Sequence, residues 1–357
     1  MSARGTTVHT KIRCRNLWKT FGSEATSQLR RTLHETGDAS EALHALKASG
    51  HLVAVADASF EVAEGEILVI MGLSGSGKST LIRCLSRLVE PSAGEVTFDG
   101  LDLLKLSHRE LIEIRRHKMG MVFQSFGLLP HFNVLENVAF PLRIQGVSKV
   151  ERENRAREMI GLVGLQGRET AFPRELSGGQ QQRVGIARSL AVGPDLWFLD
   201  EPFSALDPLI RRQMQEEFLR LQKLLKKTII FITHDFSEAL KLADRIIVMR
   251  DGRIVQIGRP SEIVLAPADE YVAKFASEVP LTKVLSAADV LEPLESTNGI
   301  SNPAPLSASA EELIARFSET DTVFIADDAG LHGQVTSAGL LRAISRISSQ
   351  IRTEGGI

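Results

Sequence analysis

Cysteine, aromatic residues and long apolar runs are all scarce in this chain. Two cysteines, one tyrosine and two tryptophans occur in 357 residues. Cys14 and Cys84 are too few for a disulfide framework and too far apart for a metal knuckle, so a reducing compartment is expected. The apolar runs, such as Ile67–Gly72 and Ile229–Thr233, are strand-sized, which excludes a membrane span of the chain's own. The first residues, MSARGTTVHTKIRC, have no apolar stretch followed by a small-residue cleavage site, so no signal peptide is expected. Charge of neither sign dominates: 42 Lys+Arg against 44 Asp+Glu leave a net −2. That balance gives no basic field for nucleic acid, and no nucleic-acid partner is expected. With 43% hydrophobic and 24% charged residues, the composition is that of a globular protein, not of a disordered or collagen-like one.

What is present divides the chain in two. Residues 276–357 hold five Lys+Arg against eleven Asp+Glu, whereas residues 1–275 hold 37 against 33. A Ser/Ala/Pro-rich stretch, Ser296–Glu312, reads as a loop within that acidic tail. Within 1–275, apolar strands at Ile67–Met71, Met119–Gln124, Leu196–Asp200, Thr228–Thr233 and Arg245–Met249 alternate with helical patterns such as Ser79–Leu88. Continuous apolar strands separated by helices predict an α/β domain whose parallel sheet is buried on both faces. Ser148–Val163 is charged and helical in period, and fits a helical subdomain over about 125–190. An insertion at 23–50 contains a predicted helix at Ser40–Ala48 with Ser40 as its cap, and reads as a surface elaboration.

Three motifs carry chemistry. GLSGSGKST at Gly72–Thr80 follows a strand, opens a helix, and matches G-x-x-x-x-G-K-[ST] through Gly72, Gly77, Lys78 and Ser79. Its backbone N–H groups turn inward around phosphate oxygens, with the helix N-terminus adding positive partial charge. Gly72, Ser74, Gly75, Ser76, Gly77, Lys78, Ser79 and Thr80 are therefore expected to bind a nucleoside triphosphate, Lys78 reaching the outer phosphates and Ser79 a Mg2+ ion. LWFLDE at Leu196–Glu201 ends a strand in two carboxylates, where parallel sheets hold ligands. Asp200 is placed for the Mg2+ shell and Glu201 for orienting or deprotonating the attacking water. LSGGQQQRVGIARSLAV at Leu176–Val192 opens with Ser177, Gly178, Gly179 and Gln180 at a helix start, a second anion site. A chain with one complete phosphate loop has no need of another for the same nucleotide, so these four residues are expected to meet ATP held by a second copy or a paralogue.

The motifs resemble the nucleotide-binding subunits of ABC transporters, over Ile12 to about Phe275, and LSGGQ is the signature of that family. The resemblance implies an ABC-type P-loop ATPase domain: a mixed sheet core with a helical subdomain. It implies that Gln124, in VFQSFGLLPH, joins Mg2+, that Asp207, in SALD, crosses the dimer interface, and that His234, in FITHD, contacts the γ-phosphate and pairs with Glu201. An aromatic residue near the N-terminus stacks on adenine in this family. Phe21 matches that position best, with Trp18 as the other candidate. Only one motif set is present, and the separation of Gly72 from Leu176 leaves no room for the long arms of related chromosome and repair ATPases. Transport is the leading reading, with ATP and Mg2+ as cofactors.

Longer phrases, Glu64–Pro91 and Met121–Leu142, resemble the ATPase subunits of bacterial importers of quaternary amines: glycine betaine, proline betaine and choline. Such a subunit works as a dimer, expected here to be a homodimer, on the cytoplasmic face of the plasma membrane. It serves an integral membrane permease and a periplasmic or extracellular substrate-binding protein, and those partners choose the substrate. Another small solute, such as an amino acid or trimethylamine N-oxide, is the alternative, and a soluble regulatory ATPase without a permease is a further one. The tail at Asn302–Ser345 resembles one CBS module (helix, strand, turn, strand, helix) where osmotically regulated members carry two. Val284–Leu294 reads as a remnant of the other. A small α+β, CBS-like tail over 276–357 is therefore expected.

Overall fold

The computed structural model describes residues 9–124, 127–277, 280–294, 302–327 and 330–354. Ser125 and Phe126, just after Gln124, and residues 296–301 of the Ser/Ala/Pro-rich stretch lie outside the described residues. Two compact units are present, residues 1–254 and residues 255–357.

The first unit opens with β1 (Thr10–Phe21), a hairpin of α1 (Ala25–Thr36) and α2 (Ala39–Ala48), and β2 (Leu52–Ala63). The insertion thus contains two helices where the sequence signalled one. Leu29, Leu43 and Leu46 of the hairpin bury themselves against Trp18, Val53 and Ala56, so the elaboration has an apolar core of its own. The cap of α2 is Asp38 rather than Ser40. Its Oδ1 accepts from the N–H groups of Ser40 and Glu41, at 2.6 and 3.4 Å, which places Ser40 inside the first turn. The chain continues through β3 (Ile67–Met71), α3 (Lys78–Leu85), β4 (Ala93–Phe98), β5 (Leu101–Asp102), α4 (His108–His117) and β6 (Met119–Val122). Strands in the order β2-β1-β4-β5 form an antiparallel sheet in which Phe21 pairs with Leu52.

Three helices, α5 (Val134–Ile144), α6 (Lys149–Leu162) and α7 (Gly178–Ala191), make the expected helical segment. Then follow β7 (Leu196–Asp200), α8 (Pro208–Leu225), β8 (Thr228–Thr233), α9 (Phe236–Leu242), β9 (Arg245–Arg250) and β10 (Arg253–Gly258). The core sheet has the order β10-β9-β3-β8-β7-β6, and the pairs from β9 to β6 are parallel. Every residue of β3, β7 and β8 is buried, which is why these strands lack polar alternation. Trp197, Phe203, Phe218 and Phe231 pack in tilted and edge-to-face pairs at centroid distances of 5.7–6.2 Å and fasten α8 to the sheet. The buried indole N–H of Trp197 donates to Ser189 Oγ at 2.9 Å and ties β7 to α7.

The second unit contains α10 (Pro260–Leu265), α11 (Glu270–Ser277), α12 (Ala310–Arg316), β11 (Thr322–Asp327), β12 (Gly330–Thr336) and α13 (Ser337–Glu354). The division into units falls at Ile254/Val255, within β10, and α11, before Ala276, packs against α13 of the second unit. Helix, strand, strand and helix follow one another as expected over 302–345, with β11 and β12 antiparallel. The segment expected to be a remnant is built into this same unit. Glu292 and Gln334 exchange backbone bonds at 2.8 and 3.0 Å, and the Glu292 carboxylate accepts from Thr336 N and Oγ1 at 3.2 and 2.7 Å.

Leu46→Ala is expected to lower the stability of the first unit by about 2–5 kcal/mol, since the hairpin cannot collapse onto the space left. Val150→Ala, at a position 72% exposed, is expected to change it by less than about 0.5 kcal/mol. Denaturant midpoints of the two variants check the contrast.

Candidate nucleotide site

The parallel strands deliver their ends to one place. β3 runs into the glycine-rich loop, β7 into Asp200–Glu201, and β8 into His234, at the carboxyl edge where such sheets bind ligands. Two glycines of the loop are required by close approach. A Cβ on Gly72 (φ +149°) would stand 2.2 Å from the Met249 carbonyl oxygen, and one on Gly77 (φ +100°) 2.1 Å from that of Ala54. Gly77 also caps α3, so the loop N–H groups and the helix N-terminus share one opening.

Lys78 is 4% exposed, and its ammonium donates to the carbonyls of Gly72 and Leu73 at 2.8 and 3.0 Å. Burial pushes it below the usual lysine range, and the charges of Glu201 and Asp200 oppose that shift. Ser79 Oγ donates to Asp200 Oδ1 at 2.7 Å. Burial raises the Asp200 carboxyl above its usual range, while the Ser79 hydroxyl and the Arg83 guanidinium, 3.6 Å away, pull the other way. Glu201 takes a left-handed backbone (φ +46°) that turns the chain out of β7. Its Oε2 lies 3.0 Å from His234 Nδ1 and 3.5 Å from Gln124 Nε2, the latter a long contact. Two side chains, from beyond the ends of β6 and β8, therefore converge on one carboxylate oxygen at the end of β7.

A cleft of about 730 Å3 joins these groups. Phe21, Ser74, Gly75, Gly77, Lys78, Ser79, Thr80, Gln124, Glu201 and His234 all line it. Gly72 and Ser76 lie within the loop behind that wall, and Asp200 lies behind Ser79. Phe21 and Trp18 separate cleanly. Phe21 is 43% exposed on the cleft wall, whereas Trp18 is 1% exposed in the hairpin core.

The LSGGQ residues and Asp207 are not on this cleft. Ser177 caps α7, accepting from Gln180 N–H at 3.3 Å while Gln180 Oε1 accepts from Ser177 N–H at 3.0 Å. Ser177, Gly178 and Asp207 are exposed. Gly179 packs so tightly on α8 that a Cβ would come 2.5 Å from Ile210 Cγ2, which places the start of α7 beside the helix that Asp207 caps. Sequence reasoning missed Leu52 and Arg83. Leu52 reaches the cleft as the cross-strand neighbour of Phe21, and Arg83 reaches Asp200 from one turn further along α3, so neither belongs to a local motif.

Phe21→Ala is expected to weaken ATP binding about tenfold, the size of one lost base–aromatic stack, with little effect on the melting temperature. Trp18→Ala is expected to lower stability by about 3–5 kcal/mol. Nucleotide titration and thermal unfolding of both variants check the assignment.

The ABC transporter family model matches residues 55–204. The trimethylamine N-oxide transport system ATP-binding protein of Pelagibacter ubique is 61% identical over 287 residues, covering 80% of this chain and 83% of that protein. Its counterpart in Ruegeria pomeroyi is 51% identical over 339 residues, covering 94% of this chain and 98% of that protein. The glycine betaine transport ATP-binding protein of Bacillus subtilis is 50% identical over 285 residues, covering 80% of this chain and 67% of that one. Among solved structures, a dimeric ATP-binding cassette in a post-hydrolysis state with ADP and Pi superposes with a TM-score of 0.57 at 33% identity, covering 70% of this chain and 98% of that one. With its phosphate loop, paired carboxylates and signature helix in one fold, this chain belongs to the ABC transporter family, as an ATP-binding subunit.

Proposed function

We propose that this ATPase powers import of a small methylated amine through a separate membrane permease, with trimethylamine N-oxide as the first candidate. The observation that supports this choice is the match to the Ruegeria trimethylamine N-oxide subunit, which runs through the tail as well as the ATPase domain, 94% of this chain against 98% of that one. A quaternary ammonium substrate is the second reading. The Bacillus glycine betaine subunit supports it at 50% identity, although a third of that protein extends beyond the match. Both substrate classes present a methylated nitrogen head, and the choice between them rests with the permease and a substrate-binding protein.

In this reading the loop N–H groups and Lys78 hold the phosphates, and Phe21 stacks on the base. Ser79 and Asp200 offer adjacent hard oxygen donors that suit Mg2+, with Gln124 completing the set. When bound, that ion neutralises charge on the outer phosphates. Glu201 takes a proton from the attacking water, and His234 orients the Glu201 carboxylate and faces the γ-phosphate. Ser177, Gly178, Gly179 and Gln180 contact ATP held by a second copy, and Asp207 lies at that interface. No helix among the described residues is long and apolar enough to cross a membrane. The proposed place of the chain is therefore peripheral, on the cytoplasmic face, with the permease supplying the spanning helices.

Glu201→Gln is expected to keep ATP affinity and lower turnover at least about a hundredfold, in the range for losing a general base. Turnover near wild type would reject Glu201. Uptake of labelled trimethylamine N-oxide, glycine betaine and choline by cells lacking this chain, against complemented cells, tests the substrate. Loss confined to trimethylamine N-oxide supports the first reading, loss of betaine or choline uptake the second, and no loss contradicts both.

A further inference from the structure

We infer that Arg211 is a positioning residue for hydrolysis, closing a ring of contacts that holds Glu201 and His234 in register. The ring is traced atom by atom. Glu201 Oε2 meets His234 Nδ1 at 3.0 Å. On its backbone side, the Glu201 carbonyl accepts from Ser204 N–H at 3.3 Å and from Ser204 Oγ at 3.0 Å. The Ser204 carbonyl in turn accepts from Arg211 Nη2 at 3.4 Å, and the same guanidinium donates to the carbonyls of Phe203 and Leu206 at 3.2 and 3.1 Å. Arg211 Nη1 then stands 3.9 Å from Asp235 Oδ2, on the residue that follows His234.

Asp235 is itself fixed. Its N–H donates to Thr233 Oγ1 at 3.0 Å, and its Oδ1 caps α9 by accepting from Glu238 N–H at 3.1 Å. Glu201, Ser204, Arg211, His234 and Asp235 line one small pocket of about 10 Å3, so the members of the ring border a common space.

The need for a brace follows from the backbone. Glu201 is a non-glycine residue at φ +46°, a conformation that persists only where its surroundings over-determine it. Residues 202–206 form no regular ladder, and the planar guanidinium supplies the fork that grips three of their carbonyls at once. A lysine, with one rotating ammonium on a flexible stem, lacks that geometry. Arg211 does not line the nucleotide cleft, so its effect belongs to turnover and not to ATP binding.

The inference rests on the assignment of Glu201 and His234 to hydrolysis, and the test separates the two. Steady-state ATPase kinetics of the full chain are compared for wild type, Arg211→Ala, Arg211→Lys, Asp235→Asn and Glu201→Gln. Arg211→Ala is expected to lower kcat at least about tenfold, with KM for ATP within about twofold, as for a displaced catalytic group. Arg211→Lys is expected to restore only part of that loss. Asp235→Asn keeps an oxygen to cap α9 and breaks only the ion pair, and is expected to lower kcat about threefold at unchanged KM. Unchanged kcat in Arg211→Ala and Asp235→Asn, with Glu201→Gln stalled, overturns the ring and leaves the site assignment standing. Full rescue by lysine, or a KM that rises in step with the loss of kcat, also overturns it. Wild-type turnover in Glu201→Gln overturns the site assignment itself and the ring with it.

Discussion

Strands β3, β8 and β7 run parallel with Met71 opposite Thr233 and Asp200 opposite Ile232. This register sets Gly72 level with His234 at the sheet edge and Glu201 one residue back, level with Thr233. A shift of one residue would swap the side chains of a strand between the two packed faces and carry the residue at its end away from the others. Packing on both faces holds the register, and the Trp197–Phe203–Phe218–Phe231 cluster holds α8 against it. Core packing and catalytic geometry are thus one constraint. The strained backbone of Glu201 is tolerated because the sheet on one side and the loop carbonyls on the other leave it no alternative.

In the proposed reading, the second constraint is that the site in one chain is half a site. Phosphate loop, carboxylates and His234 gather on one cleft, while Ser177, Gly178 and Asp207 stand exposed away from it on the adjoining starts of α7 and α8. A helix start with a reciprocal Ser–Gln cap suits an anion. Closure of two copies, each presenting its signature to the other's nucleotide, follows as the economical use of that surface. In the proposed function, coupling to a permease would convert closure and hydrolysis into movement of solute.

Much of this was legible in the sequence because the chemistry is local. Gly72–Thr80, Leu196–Glu201 and Leu176–Val192 each place their functional atoms within one strand–turn or turn–helix unit, so the residue order alone exposes them. Long-range register is what the sequence conceals. Leu52 joins the cleft only through its pairing with Phe21 across thirty residues of insertion, and Arg83 and Arg211 act through space on Asp200 and on residues 203–206. Phe21 matches the aromatic position best in sequence, and the hairpin core accounts for Trp18, the other candidate three residues before it. Composition changes near Ala276, whereas packing of α11 on α13 groups a helix before that point with the tail, a contact that composition does not report.

If two copies complete one another's site, the full chain bearing Glu201→Gln is expected to sediment at monomer mass without ATP and at dimer mass with it. Adding Ser177→Arg to the same chain is expected to reverse the shift, because the new side chain blocks the surface that meets the second nucleotide. A mass that ATP does not change, or a dimer that survives Ser177→Arg, would contradict it.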